Sequence, residues 1–212
     1  KMKIFLSQQK VQTVVLSDEW KAILEPMIGE VKVISNPVNP ILAVDSSIER
    51  IEGKLLLLGR NDPVKGHAFA IEVATMARKA NPKITLSLSG IENNEKDWVD
   101  AMGWISEAQK IENLQNSRIL LVPSKWEGQP LVILEAMACG LSVIANEELN
   151  QLPDNIGKAS LQNKQQWVDL ILETLQSSTT NVDYSQQLVE YEIENVQQKW
   201  LQIYEQLIEK QI

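Results

Sequence analysis

The chain has 212 residues, of which 44% are hydrophobic and 23% charged, and this composition fits one substantial soluble α/β domain better than two full ones. The formal net charge of −8 argues against a DNA or RNA partner, although a few local cations and backbone N–H groups could still hold a small anion. No segment approaches the run of about eighteen apolar residues that a membrane span needs. The single Cys139 rules out an internal disulfide, so the sequence predicts a cytoplasmic protein.

Strand-like and helix-like segments alternate along the first half of the chain. The first of them are a β-branched strand at 11–17, a helix over Asp18–Ile28 and a strand at 30–35. Turn residues at 36–40 lead into 41–53, which has no clear period and is the best candidate for a linker. After it come a continuously apolar strand at 54–59, a helix at 66–80 and an alternating strand at 84–90.

The second half continues the alternation and ends in helices. Strands are predicted at 100–105, 119–123 and 141–145, a helix at 130–139, and helical structure from Gln165 onwards. Such alternation predicts a doubly wound, Rossmann-like parallel sheet with helices on both faces and a C-terminal helical segment. Ligands of these sheets bind at the carboxyl ends of the strands, so the loop after each strand is the place to look for a site.

The loop at 59–66 carries two cations after a strand. Gly59 allows the chain to turn, Arg60 can fork two oxygens of a diphosphate, and Lys65 adds a compact charge nearby. The alternative is that both cations are ordinary solvated surface residues. His67, just inside the following helix, is predicted to be a surface or helix residue.

The loop after the strand at 119–123 leads into a helix whose first turn offers free N–H groups from about Gly128 to Val132. Pro130 is predicted as its first residue. Glu127 precedes the helix, and Glu135 lies inside an otherwise apolar segment, where a carboxylate needs hydrogen-bond donors such as sugar hydroxyls. Alternatively, one carboxylate only complements the helix dipole and the other caps a neighbouring loop. Cys139 is predicted to be a packing residue.

Together these residues resemble the retaining glycosyltransferases of the two-domain GT-B type, the group 1 family. Glu127 and Glu135, with seven residues between them and Ala-Met-Ala-Cys-Gly after the second, are similar to that family's signature. The Arg60–Lys65 spacing matches as well. Further similarities are Asn36-Pro37, Gly103-Trp104-Ile105 and the stretch at 15–19, so the ordered resemblance covers roughly residues 14–145.

The resemblance implies a role for each matching position. Arg60 and Lys65 would neutralise the donor diphosphate and the leaving group without a metal or cofactor. Glu135 would accept hydrogen bonds from the ribose hydroxyls, and Glu127 would orient the transferred sugar through a hydroxyl group. Backbone groups at Gly128, Gln129, Pro130, Leu131 and Val132 would hold the sugar and phosphates, Gly59 would shape the loop, and Trp104 and Ile105 would flank the base.

The chain departs from the family in three ways. Pro130 lacks an N–H that relatives with glycine provide, and Asn146-Glu147-Glu148-Leu149 replaces a glycine pair. The largest departure is that the acceptor domain, which the family has before the linker, is expected to be largely absent from this sequence. We therefore predict that residues 1–40 are a remnant of that domain and the linker, 41–178 the donor-binding domain, and 179–212 C-terminal helices.

The resemblance implies a transferase that uses a UDP-sugar, with a GDP-sugar as the rival donor, in cell-surface polysaccharide or glycoconjugate synthesis. This chain alone is expected to be inactive. A non-catalytic nucleotide-sugar binding module and a GT-B sugar-nucleotide epimerase stay open as alternatives. The full-length enzyme could work at the inner face of the membrane, because the surface that docks such enzymes usually belongs to the domain not found here.

The last helix has an apolar face at Trp200, Ile203, Tyr204 and Leu207. This face is predicted to cross back to the acceptor domain or to pack on its own sheet.

Overall fold

The structure is a computed structural model that describes residues 11–209. Residues 1–10 of the predicted remnant at 1–40 and residues 210–212 of the predicted C-terminal helices at 179–212 lie outside the described residues. Strands and helices alternate along most of this range. The elements are β1 (Thr13–Val15), α1 (Asp18–Ile28), β2 (Val31–Val33), β3 (Lys54–Leu57), α2 (His67–Arg78), β4 (Thr85–Ser89), β5 (Val99–Gly103), α3 (Glu107–Asn116), β6 (Ile119–Val122), α4 (Leu131–Ala138), β7 (Ser142–Asn146), β8 (Gly157–Ala159), α5 (Lys164–Gln176), α6 (Ser185–Leu188), a 3₁₀ turn (Val189–Tyr191) and α7 (Ile193–Glu209).

Six strands form one parallel sheet in the order β5-β4-β3-β6-β7-β8. β3 pairs with β4 on one side, with Leu55 opposite Leu86, and with β6 on the other, with Leu55 opposite Ile119. The chain therefore leaves β3 toward one edge and returns at β6 toward the opposite edge. This reversal opens a crevice at the carboxyl ends of β3 and β6. The predicted doubly wound parallel sheet is confirmed.

Successive strand residues point to opposite sides of the sheet, and helices pack on both sides, so both faces are buried. Leu55 and Leu57 pack on one side with α2 and α5, where Trp167 is fully buried and meets Phe69 edge-on. Leu56 packs on the other side, against residues of α3 and α4. Cys139 is buried there as a free thiol, as predicted, and burial raises its pKa to about 11.

The N-terminal residues form a second, two-stranded parallel sheet of β1 and β2, which α7 covers. Val196 and Ile203 of α7 pack on Ile34, just past β2, and Trp200 and Leu207 join this cluster. Of the apolar face predicted for the last helix, Trp200, Ile203 and Leu207 thus pack on the N-terminal segment and not on the large sheet. Tyr204 is 55% exposed and stacks on Trp200. No helix among residues 11–209 is both long and apolar enough to cross a membrane.

Two elements, α3 and β8, were not predicted from the sequence. The Glu107–Asn116 segment has few apolar residues, and its start depends on a reciprocal capping box between Ser106 and Gln109. β8 is only three residues long and is recruited by pairing with β7. The continuous helical structure predicted from Gln165 is wrong at 177–184, where the chain leaves α5 before α6 begins.

The predicted linker at 41–53 is irregular, but Arg50 fixes it to the sheet domain. Arg50 is only 8% exposed, and its guanidinium lies within hydrogen-bond distance of several acceptors from three separate segments. These acceptors are the carbonyls of Leu114, Gln115, Ser117 and Cys139 and the side-chain oxygen of Asn181. Arg50 therefore supplies donors to helix-end carbonyls that have no helical partner.

We predict that Arg50→Met lowers the free energy of unfolding by about 2–4 kcal/mol, because a buried acceptor that loses its donor costs about 1–3 kcal/mol. Urea unfolding followed by circular dichroism measures this loss. Lys83→Met is the control, because Lys83 pairs with Glu52 at 2.9 Å on the surface, and such a pair contributes at most about 1 kcal/mol. Equal stabilities of the two variants would contradict the role of Arg50.

Candidate functional site

Lys65 and Glu127, from the two loops singled out in the sequence, meet at the crevice between β3 and β6. Lys65 Nζ lies 2.6 Å from Glu127 Oε1, and the two side chains are 24% and 13% exposed. A hydrogen-bonded ion pair of this kind is stronger than one in open solvent, because few water molecules screen it. The structure therefore brings together two of the three residues predicted to be catalytic.

The backbones of these two loops also touch. Gly66 has a φ of +75°, and a Cβ there would lie 2.6 Å from the carbonyl oxygen of Pro123, so the close approach needs glycine. The N–H of Lys125 donates to the carbonyl of Val64 at 2.8 Å. On the far side, the amide of Asn146 donates to the carbonyl of Ser124 at 3.0 Å. The Lys65–Glu127 pair is thus supported by main-chain contacts.

Ser89, at the end of β4, holds both ends of the 59–66 loop. The N–H of Gly59 donates to Ser89 Oγ at 2.9 Å, and His67 Nε2 lies 2.8 Å from the carbonyl oxygen of Ser89. His67 begins α2 as predicted, but the surface position is wrong, because its ring is turned inward and is only 8% exposed. Its Nδ1 is buried without a partner among the described residues.

Arg60 is positioned differently from Lys65. Its side chain is 68% exposed and pairs with Asp62, with Arg60 Nη2 at 3.1 Å from Asp62 Oδ2. The N–H of Val64, with help from Arg60, lowers the pKa of the Asp62 carboxyl. Arg60 makes no ion pair with Glu127 in the described part of the chain, so it remains at the mouth of the crevice, where an anion can reach it.

Glu135 lies within α4 and is paired with Lys110, a residue that sequence reasoning missed. Lys110 Nζ lies 2.7 Å from Glu135 Oε1 and 3.0 Å from Glu107 Oε1. The spacing of Glu107 and Lys110 within one helix could have suggested the local pair. The contact with Glu135, 25 residues further along, depends on how α3 and α4 pack.

The residues predicted to flank a base and to cradle phosphates differ in how exposed they are. Trp104, just after β5, is 82% exposed. The prediction of free N–H groups at the start of α4 is wrong for Leu131, because its N–H already donates to the carbonyl of Gln129. Pro130 is the residue before the helix and not its first residue, because its ψ of 76° is not helical. The remaining predicted positions, which are partly exposed in the structure, are Gly59, Ile105, Gly128 and Val132.

The N-terminal segment holds the loop at 124–130 at two points, neither of which the sequence indicated. The side chain of Gln129 accepts from the N–H of Asn36 at 2.8 Å and donates to its carbonyl at 3.4 Å. The ring of Trp126 meets that of Trp20 edge-on, with centroids 6.3 Å apart. The side chain of Gln129 is therefore used in a structural contact with Asn36, and its backbone carbonyl accepts the N–H of Leu131.

The fold and this crevice define a class of protein. Residues 52–177 match the family model described as glycosyl transferases group 1, and this match includes both loops and all the residues of the crevice from Gly59 to Glu135. The chain belongs to the glycosyl transferase group 1 family.

Two bacterial proteins are similar in sequence over part of the chain. A 41.2 kDa protein in the cps region of Klebsiella pneumoniae is 30% identical over 118 residues, and a glycosyltransferase of Haemophilus influenzae is 29% identical over 123 residues. Each match covers 53% of this chain but only 32% and 34% of these two relatives. The chain thus matches about a third of the length of either protein.

Solved structures confirm the GT-B-like architecture. Sucrose-phosphate synthase from Thermosynechococcus elongatus superposes with a TM-score of 0.79 at 22% identity, covering 99% of this chain and 61% of that one. Anabaena Alr3699/HepE, solved with UDP and glucose, gives 0.79 at 14% identity, covering 97% and 66%. The pneumococcal O-GlcNAc transferase GtfA, solved with UDP and GlcNAc, gives 0.76 at 19% identity, covering 92% and 45%. At these identities the likeness shows the fold.

The contact between the ends of β3 and β4 is tight enough to test by substitution. Gly90 has a φ of +82°, and a Cβ there would overlap the carbonyl oxygen of Gly59 and lie 2.8 Å from the carbonyl carbon of Arg60. We predict that Gly90→Ala costs about 1–3 kcal/mol more than Gly29→Ala, since overpacking of a rigid backbone adds to the strain of positive φ.

Gly29 is the matched control, because its φ is +95° and a Cβ there meets no atom within 4 Å. Urea unfolding gives the stability of each variant. Equal losses of stability for the two glycines would show that the close approach of Gly90 to the backbone of Gly59 and Arg60 does not require glycine.

Proposed function

We propose that this chain binds the nucleotide diphosphate sugar of a retaining glycosyltransferase, with a UDP-sugar favoured over a GDP-sugar. The observation that carries the proposal is the meeting of Lys65 and Glu127 at 2.6 Å in the crevice between β3 and β6. This contact joins a cation suited to a diphosphate with a carboxylate suited to sugar hydroxyls. The crevice lies where ligands of doubly wound sheets bind.

In this mechanism Arg60 and Lys65 stabilise the charge that develops on the nucleotide diphosphate as it leaves. The ammonium of Lys65 has three donors, so it can keep its contact with Glu127 and also bind a phosphate oxygen. Glu127 then orients the transferred sugar through a hydroxyl group. The two cations provide the positive charge that a metal ion provides in other transferases, so catalysis is metal-independent.

The remaining contacts follow the geometry of the crevice. Glu135 accepts hydrogen bonds from the ribose hydroxyls, and Trp104 and Ile105 flank the base. Backbone groups from Gly128 to Val132, with Leu131 N–H excluded, hold the sugar and the phosphates. Retention of the anomeric configuration follows from attack on the same face that the nucleotide leaves, with the acceptor presented by a separate N-terminal domain.

Several observations support this assignment beyond the crevice. Two structures of similar fold were solved with UDP, one with glucose and one with GlcNAc. The Klebsiella relative comes from a cps region, which supports a role in the synthesis of a cell-surface polysaccharide or glycoconjugate. The acceptor is then a glycan or a lipid, and the reaction takes place in the cytoplasm or at the inner face of the membrane.

Calorimetric titration with UDP, GDP and ADP tests the donor site. We predict that UDP binds and that Arg60→Ala and Glu135→Ala each weaken it about 10- to 100-fold, the usual effect of losing a hydrogen bond to a charged group. Lys83→Ala is matched to Arg60→Ala, because both side chains are 68% exposed and paired with a carboxylate, but Lys83 lies before β4, at the opposite edge of the sheet. Negligible heats for all three nucleotides would refute the assignment.

We also predict that the 212-residue chain alone transfers no sugar, because residues 11–209 contain one large sheet, which the proposal assigns to the donor. Incubation with radiolabelled UDP-glucose or UDP-GlcNAc and a membrane extract, followed by chromatography of labelled products, measures transfer. Robust turnover by the purified chain would contradict the need for a second domain. Binding of UDP without turnover even after fusion to an acceptor domain of a group 1 relative would instead favour a non-catalytic binding module.

A further inference from the structure

Lys110 is the one residue in ion-pair contact with Glu135 among residues 11–209, and the proposed function assigns it no role. It lies in the first turns of α3, which begins three residues after Trp104. Its ammonium links α3 to Glu135 of α4. The side chains of Lys110 and Glu135 are 22% and 18% exposed, so both charges are largely withdrawn from water.

The electrostatics of this contact favour a fixed geometry. Burial acts to lower the pKa of Lys110, but hydrogen bonds to Glu135 and Glu107 outweigh burial, and the net effect is a raised pKa. Lys110 therefore stays protonated at neutral pH. Glu107, one turn away on the same helix, holds Lys110 Nζ at 3.0 Å and limits the positions that the ammonium can adopt.

The two oxygens of Glu135 are used unequally. Oε1 accepts from Lys110 at 2.7 Å, whereas Oε2 accepts no hydrogen bond from any described residue. An ionised carboxylate has about four lone-pair positions, so the contact with Lys110 leaves most of them open. The bond to Oε1 restricts the rotation of the carboxylate and so limits the directions in which Oε2 can point.

We propose that Lys110 is a positioning residue that aims Glu135 Oε2 at the ribose hydroxyls and so sets the preference for a ribonucleotide over its 2′-deoxy analogue. This inference rests on the proposed function, because it assumes that Glu135 receives the ribose. A carboxylate fixed on a hydroxyl discriminates strongly against a ligand without it, since the buried acceptor is then left unpaired. A carboxylate free to rotate can turn to water and loses that discrimination.

The test is a thermodynamic cycle between the protein and the ligand. Dissociation constants for UDP and 2′-deoxy-UDP are measured by calorimetry, or those for GDP and 2′-deoxy-GDP if GDP binds the wild-type chain more tightly. The wild type should bind the deoxy analogue about 10- to 100-fold more weakly. Lys110→Met, which keeps the length and packing of the side chain, should reduce this ratio by at least about threefold, as expected for coupled neighbours.

Two further variants separate positioning from a general effect. Lys110→Arg keeps the positive charge next to Glu135 and should restore most of the ratio. Lys83→Met removes a surface cation of another Lys–Glu pair and should leave the ratio unchanged. Thermal melting checks that each variant folds, and Lys110→Gln replaces Lys110→Met if the latter does not.

The outcomes distinguish this inference from the proposal on which it rests. A wild-type chain that binds no nucleotide overturns both. A chain that binds UDP, but whose discrimination against the deoxy analogue is the same in Lys110→Met, overturns the role of Lys110 alone. Tighter UDP binding by Lys110→Met would also overturn it, since Lys110 would then compete with the ribose for Glu135.

Discussion

The site depends on the pairing of β3 with both β4 and β6. In a parallel sheet all carboxyl ends lie on one edge, and the chain turns to opposite sides after these two neighbouring strands. The loops that follow β3 and β6 therefore flank a single crevice, although Glu127 lies 62 positions after Lys65 in the sequence. If β3 had an edge position, the same loop sequences would lie on one surface and would not face each other.

Within the crevice, both carboxylates that the family signature contains are already neutralised by lysines. Glu127 is paired with Lys65 and Glu135 with Lys110, each at less than 3 Å and each mostly buried. A buried carboxylate without a partner would carry a large desolvation cost, and these two pairs offset that cost for Glu127 and Glu135. Arg60 is exposed and paired with Asp62, so under the proposed function it is the charge that a diphosphate would meet first.

Much of the fold could be predicted because the strands of the sheet centre are continuous apolar runs. The segment at 54–58 reads as a buried strand from its leucines alone, and the order of helices and strands then gives the doubly wound sheet. α3 and β8 could not be predicted, since one is a polar helix and the other a three-residue strand, and both depend on tertiary contacts. The two loops could be found because glycine, cations and carboxylates follow strand ends. Lys110 could not be found, because the sequence pattern does not show which face of α3 packs next to α4.

The N-terminal segment also bears on the site, although none of its side chains was predicted to do so. It holds the loop at 124–130 through Asn36 and Trp20, which contact Gln129 and Trp126. α7 fixes that same segment in turn, because its buried residues pack on Ile34, two residues before Asn36. The position of the loop that carries Glu127 is therefore set from two directions: from the sheet through Asn146, and from the N-terminal segment through Asn36. A displacement of the N-terminal segment would act on the Glu127 loop directly. It would reach the 59–66 loop through the Lys125–Val64 hydrogen bond and the Lys65–Glu127 pair, while Ser89 holds the ends of that loop on the sheet.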